Sequence, residues 1–259
     1  MQLSVSPSPK VPIGYRLLRL ETTDSTNAEA RRRALAGEPG PLWIVSSRQR
    51  AGRGRAGRSW QSQPGNLFAS LLITLECTLR IGGQLALLAG IATFDTVAKL
   101  VGDEARSKLL LKWPNDVLIG GGKVAGILLE SASKGGQDRC VVVIGTGINL
   151  ASHPANLGRA ATSLAAHGAK TTPEATFETL ANLTDHWLTC WDEGASFGAI
   201  RRAWLERAGP TGRPIRVRLH HEETEGVFAG LDSAGALRLV TRDGAERRVT
   251  AGDVFFHSA

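Results

Sequence analysis

The sequence predicts an α+β fold in two parts, and three observations carry that prediction. Short apolar runs rich in β-branched residues alternate with amphipathic or apolar stretches of helical length between residues 14 and 209. Within that region, KLLLKWP, DVLIGGGKVAGILLESA and RCVVVIGTGINL follow one another as strands with no helix between them. From Gly212 the texture changes to short alternating strands with tight turns, the pattern of a small barrel-like module over 210–259. Residues 1–13, MQLSVSPSPKVPI, read as a disordered Pro/Ser-rich tail.

Taken in order, YRLLRLE (15–21) is the first strand. The next segment, TDSTNAEARRRALAGEPG, is a punctuated helix. Thr26 and Glu29 have capping-box spacing, Gly37 sits where a C-terminal cap belongs, and Pro39 follows. LWIVSS (42–47) and LFASLLITLE (67–76) are buried strands by length, and residues 81–102 form an apolar helix. The three glycines at 120–122 make a hairpin turn, residues 151–172 read as loop, and two amphipathic helices follow between 173 and 208. A boundary falls near 209–213.

Composition narrows the functional classes. Hydrophobic content of 42% and charged content of 21% fit an ordinary globular protein. No run reaches the roughly 18 apolar residues of a membrane span, and the N-terminus lacks the charged start and apolar run of a signal peptide. Cys77, Cys140 and Cys190 are far apart and without zinc spacing, so they read as reduced thiols of a cytoplasmic protein. A net charge of +7 makes an anionic partner worth seeking.

That charge is concentrated in RQRAGRGRAGRSW (48–60), where five arginines alternate with Gly52, Gly54 and Gly57. The glycines fit a dinucleotide fingerprint, but they should then open a helix. Here Pro64, Gly65 and Asn66 intervene and the next element is a strand, so the context is missing. A nucleic-acid grip would bring further basic clusters and aromatic platforms; Arg31–Arg33 and Arg201–Arg202 read as solvated helix faces, and most of the six Trp fall in helices or beside prolines. Glycines that let N–H groups surround an anion, with arginine forks beside them, suit a site that activates a nucleotide. Three further segments put polar residues where a core needs none. These are KWPND (Lys112, Asn115, Asp116), GGKVAGILLE (Lys123, Gly126) and GTGINL (Gly145, Gly147, Asn149).

Together DSTN (24–27), RQRAGRGRAGRSW, KWPNDVLIGGGKVAGILLE and GTGINL resemble the biotin–protein ligases, in that family's order and spacing over about residues 15–257. The resemblance implies a mixed-sheet catalytic domain with packed helices, of the class II synthetase/biotin ligase kind, followed by an SH3-like barrel. It implies a two-step reaction, in which biotin and MgATP give biotinyl-5′-AMP and a lysine of a biotin carboxyl carrier protein then takes the biotinyl group. Ser25, Thr26 and Asn27 would contact biotin and Gln49 would read its ureido ring, with Gly52 in the same loop. Arg53, Gly54 and Arg55 would wrap the carboxylate and adenylate phosphate, and Lys123 would bridge carboxylate and α-phosphate oxygens. Arg58 and Lys112 would meet the ATP phosphates. Asn115, Asp116 and Asn149 fit adenine, acceptor-lysine or Mg²⁺ roles, with Asp116 orienting the attacking lysine and Asn149 a candidate Mg²⁺ ligand. Gly126 and Gly145 would give the bicyclic ligand close backbone approach. The departure is Ala56, where the family often carries a second arginine. Trp113, Pro114 and Trp60 have a packing role as their plainest reading.

The same resemblance frames two alternatives. A lipoate–protein ligase or octanoyltransferase shares the fold, but octanoyl transfer needs a nucleophilic cysteine in a motif position, which this chain lacks. A biotin-responsive repressor needs an N-terminal winged helix, and the residues before Tyr15 are too few to hold one, so no sequence-specific DNA binding is expected. No membrane association is expected, and a homodimer through sheet edges is allowed.

Overall fold

The computed structural model describes residues 9–76, 82–132, 139–155, 160–219 and 222–256. Most of the expected tail, and Cys77, lie outside these residues. From Pro9 the chain is docked: Lys10 N–H donates to Glu178 Oε1 at 2.7 Å and Val11 packs on the core.

A seven-stranded mixed sheet runs in the order β1 (Arg16–Thr23), β2 (Leu42–Gln49), β3 (Leu67–Leu75), β7 (Cys140–Ile148), β6 (Gly122–Ser131), β5 (Asp116–Ile119), β4 (Leu109–Lys112). Only β1 and β2 are parallel; the other neighbours are antiparallel. The β1–β2 connection is α1 (Thr26–Leu35), the crossover that parallel pairing needs. Gly120 and Gly121 both have positive φ, 55° and 84°, and turn the chain tightly from β5 into β6.

Strand alternation assigns the two faces. Leu67, Ala69, Leu71 and Ile73 of β3, Ala125 and Ile127 of β6, and Val142, Ile144 and Ile148 of β7 point into the main core. That face is covered by α2 (Gly82–Leu100), which the short α3 (Asp103–Ser107) follows, with α4 (Pro173–Trp191) and α5 (Phe197–Arg207) packed on α2. The opposite face is covered only in part, by the ten-residue α1, whose Ala30 joins Leu42, Ile44, Leu72 and Val143 in a small second core. Beyond the end of α1 that face carries Gly126, Gly145 and Gly147 and forms the floor of a cleft. A helix this short leaves half a sheet face uncovered, and the glycines lower the floor there.

The end of α1 departs from expectation. Ser25 is the N-cap residue and Thr26 the first helical one, so Thr26 and Glu29 form no capping box. The Glu29 side chain bonds Arg32 and Arg33, while Thr26 turns toward β2 and β3. Gly37, with φ 92°, ends the helix as the sequence implied.

The C-terminal segment forms a five-stranded antiparallel sheet, in the order β11 (Glu246–Val249), β10 (Leu237–Thr241), β9 (Glu223–Leu231), β8 (Pro214–Arg218), β12 (Asp253–Phe256). Its inner residues Ile215, Val217, Leu231 and Leu239 join the main core. Arg201 of α5 donates to Leu231 O at 2.8 Å, and Trp113, 4% exposed, packs as expected in that core. Among the described residues no helix is long and apolar enough to cross a membrane.

Candidate active site

One cleft lies on the open face of the sheet. It brings together every sequence-predicted residue except Gly52 and Asn149. Its closed end is built on the N-terminus of α1, where Ser25, Thr26 and Asn27 are all buried. Gln49 Oε1 accepts the Thr26 N–H at 2.8 Å and the Thr26 hydroxyl at 3.1 Å, while Gln49 Nε2 donates to Ser62 Oγ at 2.9 Å. Gln49 thus ties α1 to the return limb of the arginine–glycine loop. Asn27 is fixed from both sides of its amide: Ser70 Oγ donates to Oδ1 at 2.6 Å, and Nδ2 donates to Glu130 at 2.9 Å and Leu128 O at 3.2 Å.

A lysine–aspartate–lysine cluster stands farther along the floor. Asp116, at the start of β5, pairs through Oδ1 with Lys123 and through Oδ2 with Lys112 at 3.3 Å. Burial alone would raise the Asp116 carboxyl, but the charges of Lys123 and Lys112 outweigh it and hold that group below the usual aspartate value. Two ammonium groups around one carboxylate leave a net positive patch, the charge that an incoming polyanion needs.

The loop faces this patch. It folds back on itself: Gly54 N–H donates to Arg58 O at 2.7 Å and Trp60 N–H to Gly52 O at 2.9 Å. Ala56, at the tip, has φ 53°, a left-handed conformation costing a non-glycine residue about 1 kcal/mol. Arg55 donates to Asn115 Oδ1 and to Gly252 O, both at 3.2 Å. Asn115 Nδ2 is committed to Ile127 O at 2.6 Å, which turns its oxygen toward Arg55. Burial pulls the Arg55 guanidinium below its usual value, partly offset by Asp253 and Asp116.

Some assignments change. Gly52 lies outside the cleft because a Cβ there would strike Trp60 O and Ser62 Oγ; it makes room for the loop's own return limb. A Cβ at Gly145 would fall on Asn27 Oδ1, so this glycine accommodates Asn27 while lining the cleft. Gly126 would meet Lys123 and the Trp60 ring. Asn149 is behind Lys123, with Nδ2 donating to Thr162 O at 3.0 Å and to Lys123 O at 3.4 Å. It holds the backbone beneath the lysine. No group of three or more His, Cys, Asp or Glu side chains among the described residues could hold a metal ion.

The Biotin/lipoate A/B protein ligase family matches residues 20–149, and the biotin protein ligase C-terminal domain matches residues 211–257. A biotin–[acetyl-CoA-carboxylase] ligase of Paracoccus denitrificans is 40% identical over 244 residues, covering 92% of this chain and 99% of that protein. The chain belongs to the biotin/lipoate A/B protein ligase family. The bifunctional ligase/repressor BirA of Bacillus subtilis is 30% identical over 92% of this ligase and 74% of its own length. Among solved structures, the biotin protein ligase of Aquifex aeolicus in complex with biotin and ATP shares the fold, with TM-score 0.75, 24% identity and coverage of 93% and 99% of the two chains. The mixed sheet and SH3-like C-terminal sheet expected of the ligase are thereby borne out.

Three residues of the ligase's cleft and one beneath it were given no site role by the sequence or were read as packing. Ser70, fully buried, bonds both Thr26 and Asn27; its only signal was a lone hydroxyl amid the apolar run LFASLLITL. Gly147 takes the Trp60 ring, a Cβ there meeting it at 2.6 Å. The Trp60 ring centroid also lies 5.5 Å from Lys123 Nζ, so it roofs the lysine and does more than pack. Asp253 comes from the small sheet and pairs with Arg58. Nothing in the local sequence around Asp253 marks it.

Proposed function

We propose that this ligase condenses biotin with ATP to biotinyl-5′-AMP and then transfers the biotinyl group to a lysine of a biotin carboxyl carrier protein. The observation that carries this reading is the placement of Lys123 and Lys112 opposite Arg53, Arg55 and Arg58 across one cleft. In adenylation a carboxylate oxygen of biotin attacks the α-phosphorus of ATP and pyrophosphate leaves. The obstacle is the approach of two anions, which the cations lining the cleft offset as the charges meet.

Ser25, Thr26, Asn27 and Gln49 present the polar groups of the closed end, where biotin's ring system would lie. Arg53 and Arg55 hold the joined carboxyl–phosphate, and Lys123 bridges its oxygens. Arg58 and Lys112 face the departing phosphates. In the second step the acceptor amine attacks the carbonyl carbon, an amide forms, and AMP leaves with its electron pair. Asp116, held ionised between two lysines, is the carboxylate that can orient the incoming amine. Magnesium arrives as part of the MgATP substrate.

Biotin-dependent pyrophosphate release, measured with ATP and the purified chain, tests the first step. Titration with biotin and with lipoate separates the alternatives, because lipoate binding without biotin binding would overturn the reading. The kinship to a protein named ligase/repressor motivates a gel shift at physiological salt, in which we expect no sequence-specific DNA retention.

A further inference from the structure

Glu130, near the end of β6 and seven residues beyond Lys123, touches both α1 and the arginine–glycine loop. It continues the cleft-facing parity of Gly126 and Leu128, yet does not itself line the cleft. Its side chain is only 17% exposed. A carboxylate so placed requires compensation, and its two oxygens divide the task. Oε2 accepts from Asn27 Nδ2 at 2.9 Å. Oε1 lies 3.5 Å from Arg53 Nη1 and 3.7 Å from Arg31 Nη1.

These contacts differ in kind. The Asn27 contact is a directed hydrogen bond, and with the Ser70 and Leu128 contacts it leaves one orientation for the Asn27 amide. The arginine contacts are too long for directed hydrogen bonds and act as charge attraction alone. Arg53 therefore stays near the cleft without being fastened, its side chain 48% exposed. It can turn toward an anion while Glu130 keeps its Asn27 contact.

We propose that Glu130 is a positioning residue for the reaction. It sets the Asn27 amide for biotin and holds Arg53 within reach of the carboxylate, acting through those two residues without touching substrate. The proposal rests on the adenylation reading above.

Glu130→Gln tests it, because the amide oxygen still accepts from Asn27 while the charge that attracts Arg53 is gone. The KM for biotin in pyrophosphate release should rise about fivefold with kcat within about twofold, and Tm should stay within about 2 °C. Arg53→Gln should raise KM as well, and the double variant should be no worse than the more affected single one. An unchanged KM in Glu130→Gln, additive effects in the double variant, or a fall of Tm together with kcat would each overturn the positioning role. Absence of biotin-dependent pyrophosphate release by the unsubstituted chain would instead overturn the functional reading beneath it.

Discussion

Arg58 Nη2 donates to Asp253 Oδ1 at 2.9 Å, joining the tip of the arginine–glycine loop to the first residue of β12. Arg55 reaches the same corner, 3.9 Å from that carboxylate and bonded to the neighbouring Gly252 O. The small sheet thus supplies the post against which the loop is held. With Asp253 replaced by Ala, Arg58 loses its ion-pair partner and Arg55 keeps only the more distant attraction of Asp116 against the repulsion of Arg58. The pair is partly exposed and its contribution modest, so the KM for ATP should rise about threefold. Limited trypsin digestion should cut faster at Arg55 and Arg58, and unaltered cleavage would show that the post does not hold the loop.

Ser70→Ala removes the buried hydroxyl shared by Thr26 and Asn27. Asn27 Oδ1 would lose its partner at the closed end of the cleft. Urea unfolding should show a loss of about 1–3 kcal/mol with an unchanged m value, and the KM for biotin should rise.

Lys123→Ala should reduce pyrophosphate release at least about 100-fold. Biotin affinity by calorimetry should fall far less, because the closed end of the cleft is intact. Equal losses in the two measurements would assign Lys123 to binding alone.

Arg55→Gly should let the reactive adenylate escape. The variant loses the guanidinium held by Asn115 and Gly252, and with it a grip on the carboxyl–phosphate end. Lysines of a bystander protein mixed with the variant should then be labelled, which a biotin blot would detect. Labelling confined to the carrier acceptor would refute that account of the loop.

Acid stability should depend on Asp116. Its carboxyl is held below the ordinary value of 3.8 by Lys123 and Lys112 against the opposing effect of burial. A lowered folded-state pKa contributes stability that is complete above the unfolded value and is lost as pH falls through the folded one. Denaturation midpoints should therefore decline below about pH 4, and Asp116→Asn should flatten that part of the profile.

Much of this was legible in the chain itself. The apolar runs LFASLLITL and GKVAGILLES, the glycine turn at 120–122 and Gly37 after the first helix are local signals, and the elements formed where those signals stood. The motif residues likewise converged, because strand ends and loop turns set their direction over a few residues. Thr26 shows where local reading stops: its capping-box spacing was valid as a pattern, but Gln49 and Ser70 offered it partners from other strands. Gly126 and Gly145 read as ligand approaches, and only the packed neighbours showed that they also make room for Lys123, Trp60 and Asn27.

The sequence by itself determined the elements, the family and the roster of charged groups. Those depend on residue type, spacing and periodicity, which are properties of a chain read in one dimension. The tertiary structure decided the partners: Asp253 on Arg58, Glu130 between Asn27 and Arg53, Trp60 over Lys123, and Asn149 beneath that lysine's backbone. Electrostatic and hydrogen-bond energies act over a few ångströms of space, whatever the separation along the chain. Asp253 is 195 residues from Arg58, and only the docking of the small sheet brings them together.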